Sequence, residues 1–104
     1  MNILVKPQVM NTAIDYQTGA VVSKQLLKKN TGNVTLQAFD KNEILNENTF
    51  SYDILIYVLE GTIDLRVDGT TNLIKAGEYF VLPSKVTHIL GSKEKSKILT
   101  TVIK

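Results

Sequence analysis

Turn signals recur about every eight residues through the second half of the chain: Glu60-Gly61, Asp68-Gly69, Ala76-Gly77 and Pro83-Ser84. The segments between them read as strands. Residues 54–59, ILIYVL, are an uninterrupted apolar run of a length that suits a buried strand. TIDLRVD then alternates strictly, with Ile63, Leu65 and Val67 on one face and Thr62, Asp64 and Arg66 on the other. That period of two marks a half-buried strand. Asp68-Gly69 is a strong hairpin signal, because a type I′ turn needs positive φ at both central residues. Residues 72–75 and 79–82 give two more strands. The second stops at Pro83, which has no amide hydrogen to give a ladder. Residues 86–90 and 97–103 complete the set. Short strands at this spacing predict an all-β sandwich or barrel.

The first half agrees less openly. Residues 33–39, NVTLQAF, alternate, with Val34, Leu36 and Ala38 opposite Thr35 and Gln37. VVSKQLLKK at 21–29 is ambiguous. Leu26, Leu27 and the lysines suit a helical turn, whereas β-branched Val21 and Val22 favour a strand. Residues 1–20 are expected to hold one strand and a loop. No linker, repeat or low-complexity tract divides the chain. The expectation is one domain over 1–104, with an N-terminal strand and loop region at 1–30 and a barrel core at 33–104.

Composition narrows the function classes. At 43% hydrophobic and 21% charged, the 104-residue chain is of ordinary globular make-up and not disordered. Cysteine is absent, which excludes disulfides, thiolate metal sites and thiol catalysis. The N-terminal apolar run, Ile3 to Val5, is shorter than the ~7–15 residues of a signal-peptide core. Nothing approaches the ~18–20 apolar residues of a membrane span. The expected location is cytoplasmic, with no membrane partner. Net charge is +2, and Arg66 is the only arginine. The lysines are scattered, and Glu94 sits inside the densest cluster, KEKSK at 93–97. No nucleic-acid partner is expected.

Two stretches, YVLEGTIDLRVDG (57–69) and KAGEYFVLPSKVTH (75–88), resemble the two halves of the cupin signature. In that family the first half reads Gly, five residues, His-x-His, three or four residues, Glu, six residues, Gly. The second reads Gly, five residues, Pro-x-Gly, two residues, His, three residues, Asn. Here Gly77, Pro83 and His88 match the second half in spacing, and Gly61 matches the closing glycine of the first. The resemblance implies a small single-domain, RmlC-like cupin: an antiparallel double-stranded β-helix, or jelly-roll barrel. It also implies structural roles for Gly61, Gly77 and Pro83.

The resemblance further implies a four-ligand metal set of three histidines and a glutamate, and here this chain departs from the family. Counting back from Gly61, the glutamate position falls on Ile54, the histidine positions on Phe50 and Asn48, and the opening glycine on Asn42. Only His88 remains of the four. Phe50 and Ile54 cannot coordinate, and Asn48 offers a neutral amide oxygen. No cofactor is therefore expected. If a metal does bind, Glu47 or Asp53 would have to join His88.

A barrel mouth lined by Asn48, Phe50, Ile54 and His88 suits a small-molecule binding or sensing module without chemistry of its own. The alternative is a metal-independent sugar epimerase or isomerase. His88 would be its base, Tyr52 or Tyr57 its acid, and Glu43 or Glu47 the group orienting the imidazole. Ser84 near His88 lacks the elbow of a serine nucleophile. Few edge-blocking residues precede residue 33, so a homodimer is expected, with residues 1–30 contributing and an N-terminal strand exchanged between subunits as one form.

Overall fold

The computed structural model describes residues 6–49 and 51–104, with the backbone alone for residues 46–48. After a 3-10 turn at Met10–Thr12 come β1 (Val21–Lys29), β2 (Gly32–Phe39), β3 (Ile44–Thr49), β4 (Asp53–Glu60), β5 (Thr62–Val67), β6 (Thr70–Lys75), β7 (Tyr79–Leu82), β8 (Thr87–Ser92) and β9 (Ser96–Ile103). They form a five-stranded sheet in the order β1-β2-β9-β4-β7 and a four-stranded sheet in the order β3-β8-β5-β6. Every recorded pairing is antiparallel. The two sheets face each other as the all-β barrel expected from the turn spacing, in the double-stranded jelly-roll form that the cupin resemblance implies. Among the described residues no helix is long and apolar enough to cross a membrane.

The turns sit where the sequence places them. Asp68 and Gly69 have φ of 48° and 78°, the paired positive values of a two-residue hairpin joining β5 to β6. Gly61, with φ of 84°, turns the chain from β4 into β5. A Cβ there would also collide with the Ser96 hydroxyl and the Lys95 carbonyl, so both conformation and space require glycine. Gly77, with φ of 88°, lies in the turn before β7, and Pro83 directly follows that strand.

The main core lies between the sheets, where Phe39, Ile56, Val58, Ile63, Leu65 and Ile98 are buried. The apolar run at 54–59 is a strand, though not one buried on both faces. Ile54, Ile56 and Val58 turn inward, while Leu55 is exposed on the outer side. The ambiguous segment at 21–29 is a strand and not a helical turn. β1 pairs with β2 of its own chain along its whole length, with an irregularity between Gln25 and Leu27.

β2 departs from simple amphipathic logic. Its alternation would ordinarily send Leu36 and Ala38 into the barrel and leave Thr35 and Gln37 outside. The reverse is found. Leu36 and Ala38 belong to a second buried cluster centred on Ile14, while Asn33, Thr35 and Gln37 face the space between the sheets. The cause is the segment before β1. Ile14, flanked by Met10, Ala13 and Tyr16, packs on the outer face of the five-stranded sheet and removes the apolar side of β2 from water.

Polar contacts pin that segment down. The Tyr16 hydroxyl donates to Glu60 at 2.7 Å, and the Lys97 ammonium donates to the Asn11 carbonyl. Lys97 also lies 3.6 Å from the Glu60 carboxylate and 4.9 Å from the Tyr16 ring centre. Tyr16's hydrogen bond and the Lys97 charge hold the Glu60 carboxyl below its ordinary range. Burial, and then that same hydrogen bond, push the Tyr16 phenol up.

Candidate functional site

Because β2 turns its polar face inward, the barrel interior has two unlike walls around a cavity of about 280 Å³. One wall follows the seam between β2 and β9. It carries Asn33, Thr35 and Gln37 from β2 and Thr100 from β9, with Thr35 and Thr100 directly opposite in register. The other wall is apolar, with Ile54 and Ile56 from β4 facing Leu45 and Leu90 from the four-stranded sheet. Val102 and His88 complete the lining. Among the described residues no lysine, arginine, aspartate or glutamate lines this cavity.

The polar groups are only partly satisfied by one another. The Gln37 side-chain amide donates to the Ser23 hydroxyl at 3.1 Å, and the Thr35 hydroxyl donates to Asn33 Oδ1 at 3.4 Å. Thr100 Oγ1 is buried and has no hydrogen-bond partner among the described residues. A buried hydroxyl in that position is costly to the fold unless something else bonds to it. His88 is 4% exposed, and its Nδ1 lies 3.4 Å from the Val86 carbonyl.

Of the residues singled out from sequence, Ile54 and His88 line the cavity together. The backbone of Asn48 pairs with His88 across β3 and β8, beyond an irregularity between Leu45 and Asn48. The side chains of Asn48 and Glu47, and all of Phe50, lie outside the described residues. The remaining candidates stand elsewhere. Asp53 is exposed and accepts the Ser84 backbone N–H at 2.9 Å. Tyr52 is exposed beneath the Lys104 ammonium, which is 5.3 Å from its ring centre. Tyr57 pairs with Tyr79 and Leu99 in the five-stranded sheet and is not part of the lining, nor is Glu43. Asn33, Thr35, Gln37 and Thr100 were not anticipated as site residues. The one sequence signal that could have found them is the second apolar stripe: with Ile14 and Met10 available to cover Leu36 and Ala38, the polar side of β2 is free to turn inward.

A family model for the cupin domain matches residues 32–103. The chain belongs to the cupin family. Solved structures agree on the fold. This cupin superposes on a cupin superfamily protein from Desulfitobacterium hafniense with a TM-score of 0.90 at 19% identity, covering 94% of this chain and 90% of that one. A conserved protein of unknown function from Streptococcus pyogenes gives 0.92 at 19% identity, covering 99% and 90%. A cupin 2 conserved barrel domain protein from Leptotrichia buccalis is 35% identical, with a TM-score of 0.84. There the match covers 88% of this chain but 44% of that one. No curated protein matches this cupin.

The family signature also explains two odd backbone positions. Asn42 and Lys85 stand where the signature has glycine, and both keep the left-handed conformation, with φ of 61° and 64°. Asparagine tolerates that region comparatively well, whereas lysine is strained in it. The loop shapes of the family are thus kept without their glycines. The metal set is not kept. Of the four ligand positions, Phe50 and Ile54 have no donor atom, and Ile54 is buried in the apolar wall. Among the described residues no three of His, Cys, Asp or Glu gather where they could hold an ion. The residues present do not fit the family's metal.

Proposed function

We propose that this cupin is a small-molecule binding or sensing barrel that works without a bound metal. The observation that carries this reading is the inward polar face of β2, where Asn33, Thr35 and Gln37 line the cavity. A barrel selected only for stability would fill that space with aliphatic side chains, as the opposite wall does. The cavity volume of about 280 Å³ lies just under the lower end of the usual range for ligand pockets, ~300–1,000 Å³. His88 is the one titratable group in the described lining, and neither Tyr52 nor Tyr57 accompanies it there. That favours binding over epimerisation by an acid–base pair. Elemental analysis of tag-free protein beside a His88→Ala control tests the metal-free part. Substoichiometric metal in both is expected. Stoichiometric metal that vanishes in the variant would overturn it.

We also propose a homodimer that uses the outer face of the five-stranded sheet, with a second copy as the occupant. Val81, Leu55, Thr101, Val34 and Leu27 stand side by side in register across all five strands. Leu27, Leu55 and Val81 are exposed. At ~4.8 Å per strand this row is about 20 Å wide, an extent suited to the ~800 Å² per partner of a standard interface. Light scattering should give twice the monomer mass, falling to the monomer with Val81→Lys. A monomeric parent protein would remove the dimer.

A further inference from the structure

The cavity wall also bears on what kind of molecule could enter. Resting on the binding reading above, we infer that the ligand is an uncharged molecule with hydroxyl or amide groups along one edge and hydrocarbon along the other. The polar edge would lie on Thr35, Gln37 and Thr100. These offer neutral donors and acceptors: one Gln37 N–H is engaged by Ser23, which leaves the rest of its amide, and the Thr100 hydroxyl lies buried beside them with no partner among the described residues. The hydrocarbon edge would lie against Ile54, Ile56, Leu45 and Leu90.

Charge is disfavoured for a physical reason. An ion entering a largely apolar cavity loses its hydration and must find an opposite charge in return. Among the described residues the ion pairs lie elsewhere, with Asp64 beside Arg66 and Lys93, and Glu60 beside Lys97, none of them in the lining. Lys28 sits opposite Asn33 in the β1–β2 register, but it is exposed and outside the lining. Size is bounded as well. A cavity of 280 Å³ holds roughly nine waters at ~30 Å³ each, or about a dozen covalently linked non-hydrogen atoms.

The test is a two-dimensional ¹⁵N–¹H NMR screen of the full chain at pH 8. The probes are fragments of up to about fifteen non-hydrogen atoms, with equal numbers neutral, anionic and cationic. Benzamide, benzoate and benzylamine form one matched trio. Fragments that shift the amides of Thr35, Gln37 and Thr100 should be neutral at least about tenfold more often than charged. The best of them should bind about three- to tenfold more weakly to Thr35→Val and to Gln37→Leu, the loss expected for one neutral hydrogen bond. Charged fragments scoring as often as neutral ones would overturn the neutral class and leave the binding reading standing. Neutral hits indifferent to both substitutions would overturn the polar edge. No fragment shifting those amides would overturn the ligand class and the binding reading together.

Discussion

Replacing Glu60 with glutamine should cost this cupin more stability than replacing its ion-pair partner Lys97 with methionine, and the asymmetry comes from burial. The Lys97 side chain is 9% exposed and that of Glu60 is 38% exposed, with 3.6 Å between the charges. Glu60→Gln strands an ammonium away from water. A fully buried pair that loses one member costs ~3–5 kcal/mol. Two features lower that figure here. Glu60 is over a third exposed, so the pair is already screened by solvent. Lys97 also keeps the Asn11 carbonyl and the Tyr16 ring. About 2 kcal/mol remains, or roughly 8–16 °C in Tm at ~4–8 °C per kcal/mol. Lys97→Met instead leaves Glu60 free to turn to water while keeping Tyr16 and Asn11 as donors, for a cost of about 0–1 kcal/mol. Urea denaturation followed by circular dichroism reads both, provided the m-value is unchanged.

The sign with pH is defined too. Glu60's carboxyl is depressed in the folded state, so its contribution is complete above the unfolded value of ~4.3 and is lost as pH falls through the lower folded value. The deficit of Glu60→Gln should therefore shrink in acid, because protonated Glu60 resembles glutamine. Lys97→Met proving equally or more destabilising at pH 7, or a deficit that persists unchanged in acid, would refute the reasoning.

Other outcomes follow from single positions. Gly61→Ala should cost ~3 kcal/mol or more, because its Cβ meets the Ser96 hydroxyl and the Lys95 carbonyl. Gly77→Ala, with open space around it, should cost only the ~1–2 kcal/mol of a left-handed conformation. Equal losses in the two melting curves would sink that distinction. Lys85→Gly should stabilise by about 0.5 kcal/mol, relief of left-handed strain outweighing added chain entropy; a drop in the urea midpoint would contradict it. Ile14→Ala should cost ~2–4 kcal/mol by uncovering Leu36 and Ala38. In hydrogen exchange it should deprotect residues 10–16 and leave the β4–β9 ladder slow, and uniform deprotection would argue against a separate outer cluster.

Strand positions were legible because they are local. Asp68-Gly69 and Gly61 need particular backbone angles, and period-two alternation marks the strand between them. Residues 21–29 were not legible. Leu26, Leu27 and the lysines satisfy either pattern, and the decision comes from pairing with β2. The facing of β2 was hidden for a related reason. Alternation shows that Leu36 and Thr35 point oppositely, but the inner side depends on what Ile14 covers. In the site, Ile54 and His88 could be counted from Gly61 and Gly77. Thr100 could not, since only the β2–β9 register brings it opposite Thr35.

The most direct measurement is the unfolding free energy of the triple variant Thr35→Val/Gln37→Leu/Thr100→Val against the parent protein. If the polar lining from β2 and β9 serves ligand binding and not the fold, replacing it with aliphatic groups of similar size should raise stability by about 1–2 kcal/mol, with Ser23 left to water. A loss of stability would mean those polar groups hold the barrel together and would contradict the binding reading.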